Sequence, residues 1–176
     1  MRVQDIIDRK IEPEWGPTPQ KPRLIEITEL LPPPPSKRAD LVFEKTVFNY
    51  IHKNKLTLGV GNIYQLHASR ADGLLKLDTG QMVLLEIKYA LGWVKSCQAR
   101  IQFEGFLKLN IYNKINIDRP ANALIIFHHF SGDWARTGKS NRQIGWENFY
   151  LEQNDLKCDL NIHIAQLTDE GSFVVY

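Results

Sequence analysis

Eight of the nine prolines fall within the first 35 residues: Pro13, Pro17, Pro19, Pro22 and the run Pro32 to Pro35. Proline fixes φ and has no amide to donate, so no regular helix or central strand can run through this stretch. Residues 1–36 therefore read as an arm. It opens with a short amphipathic turn around Val3, Ile6 and Ile7, continues as an extended segment through Leu24 to Leu31, and closes with a polyproline spacer. Such an arm either lies across its own domain or reaches a partner, a second copy of the chain or another protein. Only Pro120 lies beyond it, and residues 37–176 read as a single folded domain long enough to bury a core.

A composition of 43% hydrophobic and 24% charged residues is that of a soluble globular domain. No run approaches the roughly 18–20 uncharged apolar residues of a membrane span. The opening Met1-Arg2-Val3-Gln4-Asp5 carries no apolar signal region. The expectation is a cytoplasmic protein without a membrane partner. Two cysteines, Cys97 and Cys158, exclude a disulfide scaffold and a four-thiolate metal site. With 22 Lys+Arg against 20 Asp+Glu, the net charge of +2 neither demands nor excludes a polyanionic partner. A nucleic-acid reading must therefore rest on local residues.

Ser36 is placed to cap a helix running to about Asn54, with Leu41, Phe48 and Ile51 at helical spacing. Leu56 to His67 reads as strand, with Gly59 and Gly61 weakening it or marking a bulge. Leu74–Leu77, the turn signal Asp78-Thr79-Gly80 and Met82–Tyr89 form a β-hairpin. A second helix fits Lys95 to about Asn110. After Pro120, the apolar run Ala121–His129 predicts a buried strand. The tail is read as fragments at Ile144–Leu151, Ile162–Leu167 and Phe173–Tyr176. The order α-β-β-β-α-β predicts an α/β fold, a central mixed sheet flanked by helices.

The chemistry sits in Ala71-Asp72-Gly73-Leu74 and Val83-Leu84-Leu85-Glu86-Ile87-Lys88-Tyr89. Alternation along a strand puts Glu86 and Lys88 on one face and Leu85 and Ile87 on the other. A hairpin turning at Thr79 pairs residues whose numbers sum to about 158, which sets Asp72 across from Glu86. Like charges in that position repel unless something neutralises them. A divalent cation would do so, and hard carboxylate oxygens suit Mg²⁺ or Mn²⁺. Lys88 beside such a cation can orient or deprotonate a water, or stabilise developing phosphate charge. The ordinary alternative is a solvated strand face with Asp72 as a turn residue.

Two placements weigh against that alternative. Glu44 lies on the same helical stripe as Leu41, Phe48 and Ile51, where an acid needs a partner, a metal or water. In the second helix Arg100, Glu104 and Lys108 cluster on one side, and Gln102 falls nearly opposite, between Gln98, Phe106 and Leu109. An amide inside an apolar face wants a hydrogen-bond partner. Helix packing or an active-site role would each satisfy Gln98 and Gln102.

Glu44 in a first helix, Asp72 before a hairpin, Glu86-Ile87-Lys88 on the next strand and Gln102 in the following helix together resemble the PD-(D/E)XK nuclease superfamily, the restriction-endonuclease-like fold. The resemblance covers roughly residues 36–129, and it departs at Ala71, where the superfamily motif has proline. It implies a Mg²⁺-dependent (or Mn²⁺-dependent) nuclease that hydrolyses phosphodiester bonds, in DNA rather than RNA, with a metal-activated water. By that likeness Asp72 and Glu86 bind metal, with the Ile87 carbonyl as a third ligand and Glu44 as an additional one. Lys88 positions or activates the water, and Gln102 supports the site or touches the substrate backbone. Phosphate contacts are expected from Lys95, Arg100, Arg136, Lys139 and Arg142, with Trp93 and Trp134 available for stacking on bases. The alternative function is a catalytically inactive binding or assembly module that keeps the fold.

Three further signals are set aside. Gly138-Lys139-Ser140 imitates the end of a phosphate-binding loop, yet Asp133 stands where its first glycine belongs. Adjacent histidines on a strand point to opposite faces, so His128 and His129 read as a strand-end pair and not, with His163, as zinc ligands. Cys97 lies near a predicted helix start, and the sequence identifies no histidine that would make it a nucleophile.

Overall fold

The computed structural model describes residues 21–67, 70–131 and 160–176, and for Trp93 the backbone alone. Residues 1–20, Trp134, Arg136, Lys139, Arg142, the Gly138-Lys139-Ser140 motif, the 144–151 segment and Cys158 lie outside the described residues. In chain order the elements are β1 (Arg23–Glu26), α1 (Ala39–Lys53), α2 (Lys55–Leu58), β2 (Val60–His67), β3 (Gly73–Leu77) and β4 (Met82–Leu91). They continue with α3 (Trp93–Lys108), α4 (Ile111–Lys114), β5 (Asn122–Phe130), β6 (Asn161–Leu167) and β7 (Phe173–Val175). The strands form one seven-stranded mixed sheet in sequence order. β1 to β4 run as an antiparallel meander, β5 and β6 lie parallel to β4, and β7 returns antiparallel on β6.

The hairpin register is the one expected from a turn at Thr79. Gly73 pairs with Leu85 and Leu74 with Leu84. Gly80 closes the turn at φ 87°, a conformation that glycine adopts without strain, and its amide donates to the Leu77 carbonyl at 2.8 Å. Two boundaries differ from expectation. Helix α1 begins at Ala39, because Ser36 Oγ accepts the Arg38 amide at 3.2 Å and so closes a turn ahead of the helix instead of capping it. Leu56–Leu58, expected as strand, belongs to the single helical turn α2, which Gly59 ends in the left-handed conformation at φ 67°. The strand then starts at Val60, and the pairing shifts between Val60 and Asn62, which makes Gly61 the bulge.

Helices cover both faces of the sheet. On one, Phe43, Val47, Phe48 and Ile51 of α1 pack on Ile63, Leu75, Val83, Leu85, Ile87 and Ile126. On the other, Ala99, Phe103 and Phe106 of α3 pack on Leu74, Leu84, Ile125, Phe127 and Ile162. Burial on both faces explains why β5 reads as a continuous apolar run. Part of the proline-rich arm lies across the domain: β1 extends the sheet beyond β2, and Ile27 is buried. Asn49 of α1 fastens this part, accepting the Leu31 amide at 2.7 Å and donating to the Leu31 carbonyl at 3.1 Å. Among the described residues no helix is long and apolar enough to cross a membrane.

Candidate active site

The alternation of β4 decides what each side chain meets. Val83, Leu85 and Ile87 enter the core beneath α1, so Leu84, Glu86 and Lys88 point to the α3 face. There Glu86 is 3% exposed, the only charged side chain among the described residues that is buried to this degree. Its Oε1 accepts from Lys88 Nζ at 2.6 Å, while Oε2 is buried with no hydrogen-bond partner. Asp72 sits where the β3–β4 register, continued one residue past Gly73–Leu85, meets Glu86. Its amide donates to the Leu85 carbonyl at 3.1 Å and its carbonyl accepts from the Leu66 amide at 3.1 Å, so the backbone is tied to β4 and to β2. Its Oδ2 accepts the Ile87 amide at 2.8 Å. That bond bends the Asp72 carboxylate against β4, beside Glu86 and Lys88.

All three carboxyls of this region are pushed above the usual carboxylate range. Burial raises Glu86 to about 8, helped by the charge of Asp72 and opposed by Lys88. The Lys88 ion pair, short as it is, does not offset burial and the second carboxylate. Burial also raises Asp72, against the Ile87 amide and the Lys88 charge, which lower it. Glu44 is raised by burial first and by the charge of Asp72 second, while the charge of Lys45 and then a hydrogen bond from Gln65 act the other way. Asp72 lies within electrostatic reach of Glu86 on one side and of Glu44 on the other, and against these three acids stand two lysines, Lys88 and Lys45, which leaves an excess of negative charge wherever all are ionised.

These residues suit a divalent cation. The unpartnered Glu86 Oε2 is a buried hard oxygen of the kind a cation satisfies, and Asp72 supplies a second. Among the described residues no three of His, Cys, Asp and Glu converge into a ready-made cage. A cation here would take one or two carboxylates from the protein and would fill the rest of its shell with water and carbonyl oxygens, an arrangement common for Mg²⁺.

Other expectations from the sequence meet mixed outcomes. Gln102 is half-buried on the flank of α3, not at the centre of its apolar face, and Gln98 is exposed. The buried stripe runs instead through Ser96, Ala99, Phe103, Phe106 and Leu107, because helix and sheet meet along those positions. Arg100, expected on the solvated side with Glu104 and Lys108, is half-buried, and its Nε is shielded from solvent. Glu104 and Lys108 do form an ion pair across one helical turn. Lys95 is exposed in the first turn of α3. Gln65 was not foreseen. It lies two residues beyond buried Ile63 on β2 and pairs with Gly73. An amide in phase with a buried isoleucine, on the face that an acid-bearing helix covers, was the available signal.

Compared with known proteins, the chain matches no family model, no curated protein and no solved structure. What this site does must be argued from its own residues.

Proposed function

We propose that this chain is a metal-dependent nuclease of the restriction-endonuclease-like fold, hydrolysing phosphodiester bonds, in DNA rather than RNA. The observation that carries the reading is the Asp72–Ile87 hydrogen bond. It sets a second carboxylate against buried Glu86, whose Oε2 has no hydrogen-bond partner among the described residues and whose Oε1 is paired with Lys88. The order α1-β2-β3-β4-α3-β5, with β4 and β5 parallel, supports it.

A Mg²⁺ or Mn²⁺ ion, when bound, supplies a Lewis acid for the phosphoryl oxygens and an acidified water. Asp72 and Glu86 would hold it, with the Ile87 carbonyl as a further oxygen donor and Glu44 reaching it through water. Lys88 Nζ donates to Glu86 Oε1 at 2.6 Å. There it can orient the attacking water or steady the charge that develops on the phosphate. Lys95 is accessible for a backbone phosphate, and half-buried Arg100 lies further along the same helix. Gln65 fixes the Glu44 carboxyl through its amide.

Supercoiled plasmid incubated with Mg²⁺ or Mn²⁺ should be nicked by the wild-type protein. Asp72→Ala and Lys88→Ala should each lower the rate by about 100-fold or more. Unchanged cleavage by both variants would sink the reading. Intact plasmid together with carboxylate-dependent Mn²⁺ uptake in calorimetry would make the chain a binding module.

A further inference from the structure

The end of β5 carries a hydrogen-bonded chain of three titratable side chains that the site above does not use. Asp169 Oδ1 lies 2.8 Å from His128 Nε2, and His128 Nδ1 lies 3.0 Å from His129 Nδ1. His128 is held from every side. Its ring stacks on Tyr89 at 5.0 Å and 14°, and Phe43 meets it edge-on at 5.5 Å. Its carbonyl accepts from Gln166 Nε2 at 2.8 Å. Asp169 is supplied by the turn between β6 and β7, which the Thr168–Ser172 bonds and Gly171 at φ 76° define.

The acceptor at one end fixes the protons along the whole chain. A carboxylate only accepts, so His128 Nε2 carries the hydrogen, and in the neutral ring Nδ1 is then an acceptor. With His128 neutral, His129 Nδ1 donates, which leaves His129 Nε2 as the nitrogen without a hydrogen. His129 is exposed and pairs with Ala90, two residues past Lys88 on the neighbouring strand. At about 3.3 Å per residue and about 4.8 Å between strands, the His129 and Lys88 backbones lie roughly 8 Å apart, and the His129 ring meets that of Tyr89, the residue after Lys88, edge-on at 4.9 Å. At the other end of the chain, a cavity of about 320 Å³ reaches His128 and Asp169 between α1 and the β6–β7 turn.

We propose that Asp169, His128 and His129 form a proton relay whose outer nitrogen, His129 Nε2, is the general base of the hydrolysis. The inference rests on the nuclease reading and supplies it with a general base for the attacking water. The attacking water gives a proton to His129 Nε2 as its oxygen bonds to phosphorus. The bond from phosphorus to the leaving oxygen breaks, and that oxygen takes a proton from solvent. The charge gained by His129 is shared when the Nδ1 proton moves to His128, whose Nε2 hydrogen faces the Asp169 carboxylate. Release of a proton to water resets the pair. His129 is the catalytic residue, and His128 and Asp169 are positioning residues.

Long-range ¹H–¹⁵N spectra of the imidazoles in the full chain test the relay without any turnover. They should show His128 protonated at Nε2 and His129 at Nδ1, and Asp169→Ala should return both rings to tautomer mixtures. Cleavage of plasmid tests the base. His129→Ala should lower kcat by about 100-fold or more with little change in KM, and added free imidazole should restore part of the rate. Asp169→Ala should lower kcat by about tenfold. The opposite tautomers, or full activity of His129→Ala while Asp72→Ala is inactive, would overturn the relay and leave the nuclease reading standing. A wild-type protein that cleaves nothing under any metal would overturn both.

Discussion

Near neutral pH an unfolded chain carries Glu86 ionised, whereas the folded chain, lacking a cation, holds it protonated because its carboxyl is pushed up to about 8. The sign of the linkage follows. Below the ordinary value of 4.5 both states bind the proton and burial is not opposed by charge. Between 4.5 and about 8 folding must take up a proton, so stability falls as pH rises, at about 1.4 kcal/mol per unit, and it levels out above about 8. Asp72 and Glu44 are raised too and act in the same direction. In metal-free buffer the urea midpoint should therefore fall from pH 5 to pH 8, and Glu86→Gln should flatten that slope. Mn²⁺ should raise the midpoint more at pH 8 than at pH 5. A midpoint independent of pH and of Mn²⁺ would show that these carboxyls are not held as described. Much at this scale was legible beforehand, since alternation on β4 and the sum rule for the hairpin placed Glu86, Lys88 and Asp72 together. Glu44 was found through helical spacing. The Ile87 amide on Asp72 was not legible, because a side-chain bond to a neighbouring strand's backbone leaves no trace in spacing.

Helix α1 and strand β3 touch so closely that one residue type governs their distance. A Cβ at Gly73 would stand 2.8 Å from the Tyr64 carbonyl oxygen and 2.9 Å from Phe48 Cε1, and neither a strand backbone nor a fully buried ring can yield cheaply. Gly73→Ala should cost about 1–3 kcal/mol in a denaturation series. By displacing Asp72 and the α1 acid Glu44 it should also reduce cleavage more than the stability loss alone would, when assayed well below the melting temperature. Wild-type cleavage by a folded Gly73→Ala protein would refute that coupling. In α3 the sequence periodicity misled at Gln98 and Gln102. Several arcs of that helix hold apolar residues, with Val94 and Ile101 exposed at 55% and 46%, so apolar content alone does not mark the buried stripe. The sheet selected Ser96, Ala99, Phe103 and Phe106, and Ser96 is accommodated because its Oγ donates to the Gly92 carbonyl at 2.7 Å.

Across the whole molecule, the arm and the domain are joined at an edge strand. Asn49→Ala removes both side-chain bonds to Leu31 and leaves its half-buried amide and carbonyl to find water. A loss of about 1–2 kcal/mol is expected, read as a melting temperature lower by about 2–8 °C. Amide exchange in β1 should quicken while β4 and β5 stay protected, and uniform quickening would contradict a local fastening. Local chemistry and chain order determined a good deal by themselves. Proline density marked off the arm, the Asp78-Thr79-Gly80 turn set the hairpin register, and the continuous apolar run Ala121–His129 announced a buried strand. These features depend on φ restriction, on alternation and on near neighbours in sequence, so a single chain displays them. Only the tertiary structure decided which strands are parallel, that β1 belongs to the sheet, and that Asp169 of the last turn reaches His128, 41 residues away. Those outcomes depend on which surfaces meet, and burial, not sequence spacing, fixes the charge state of a carboxylate such as Glu86.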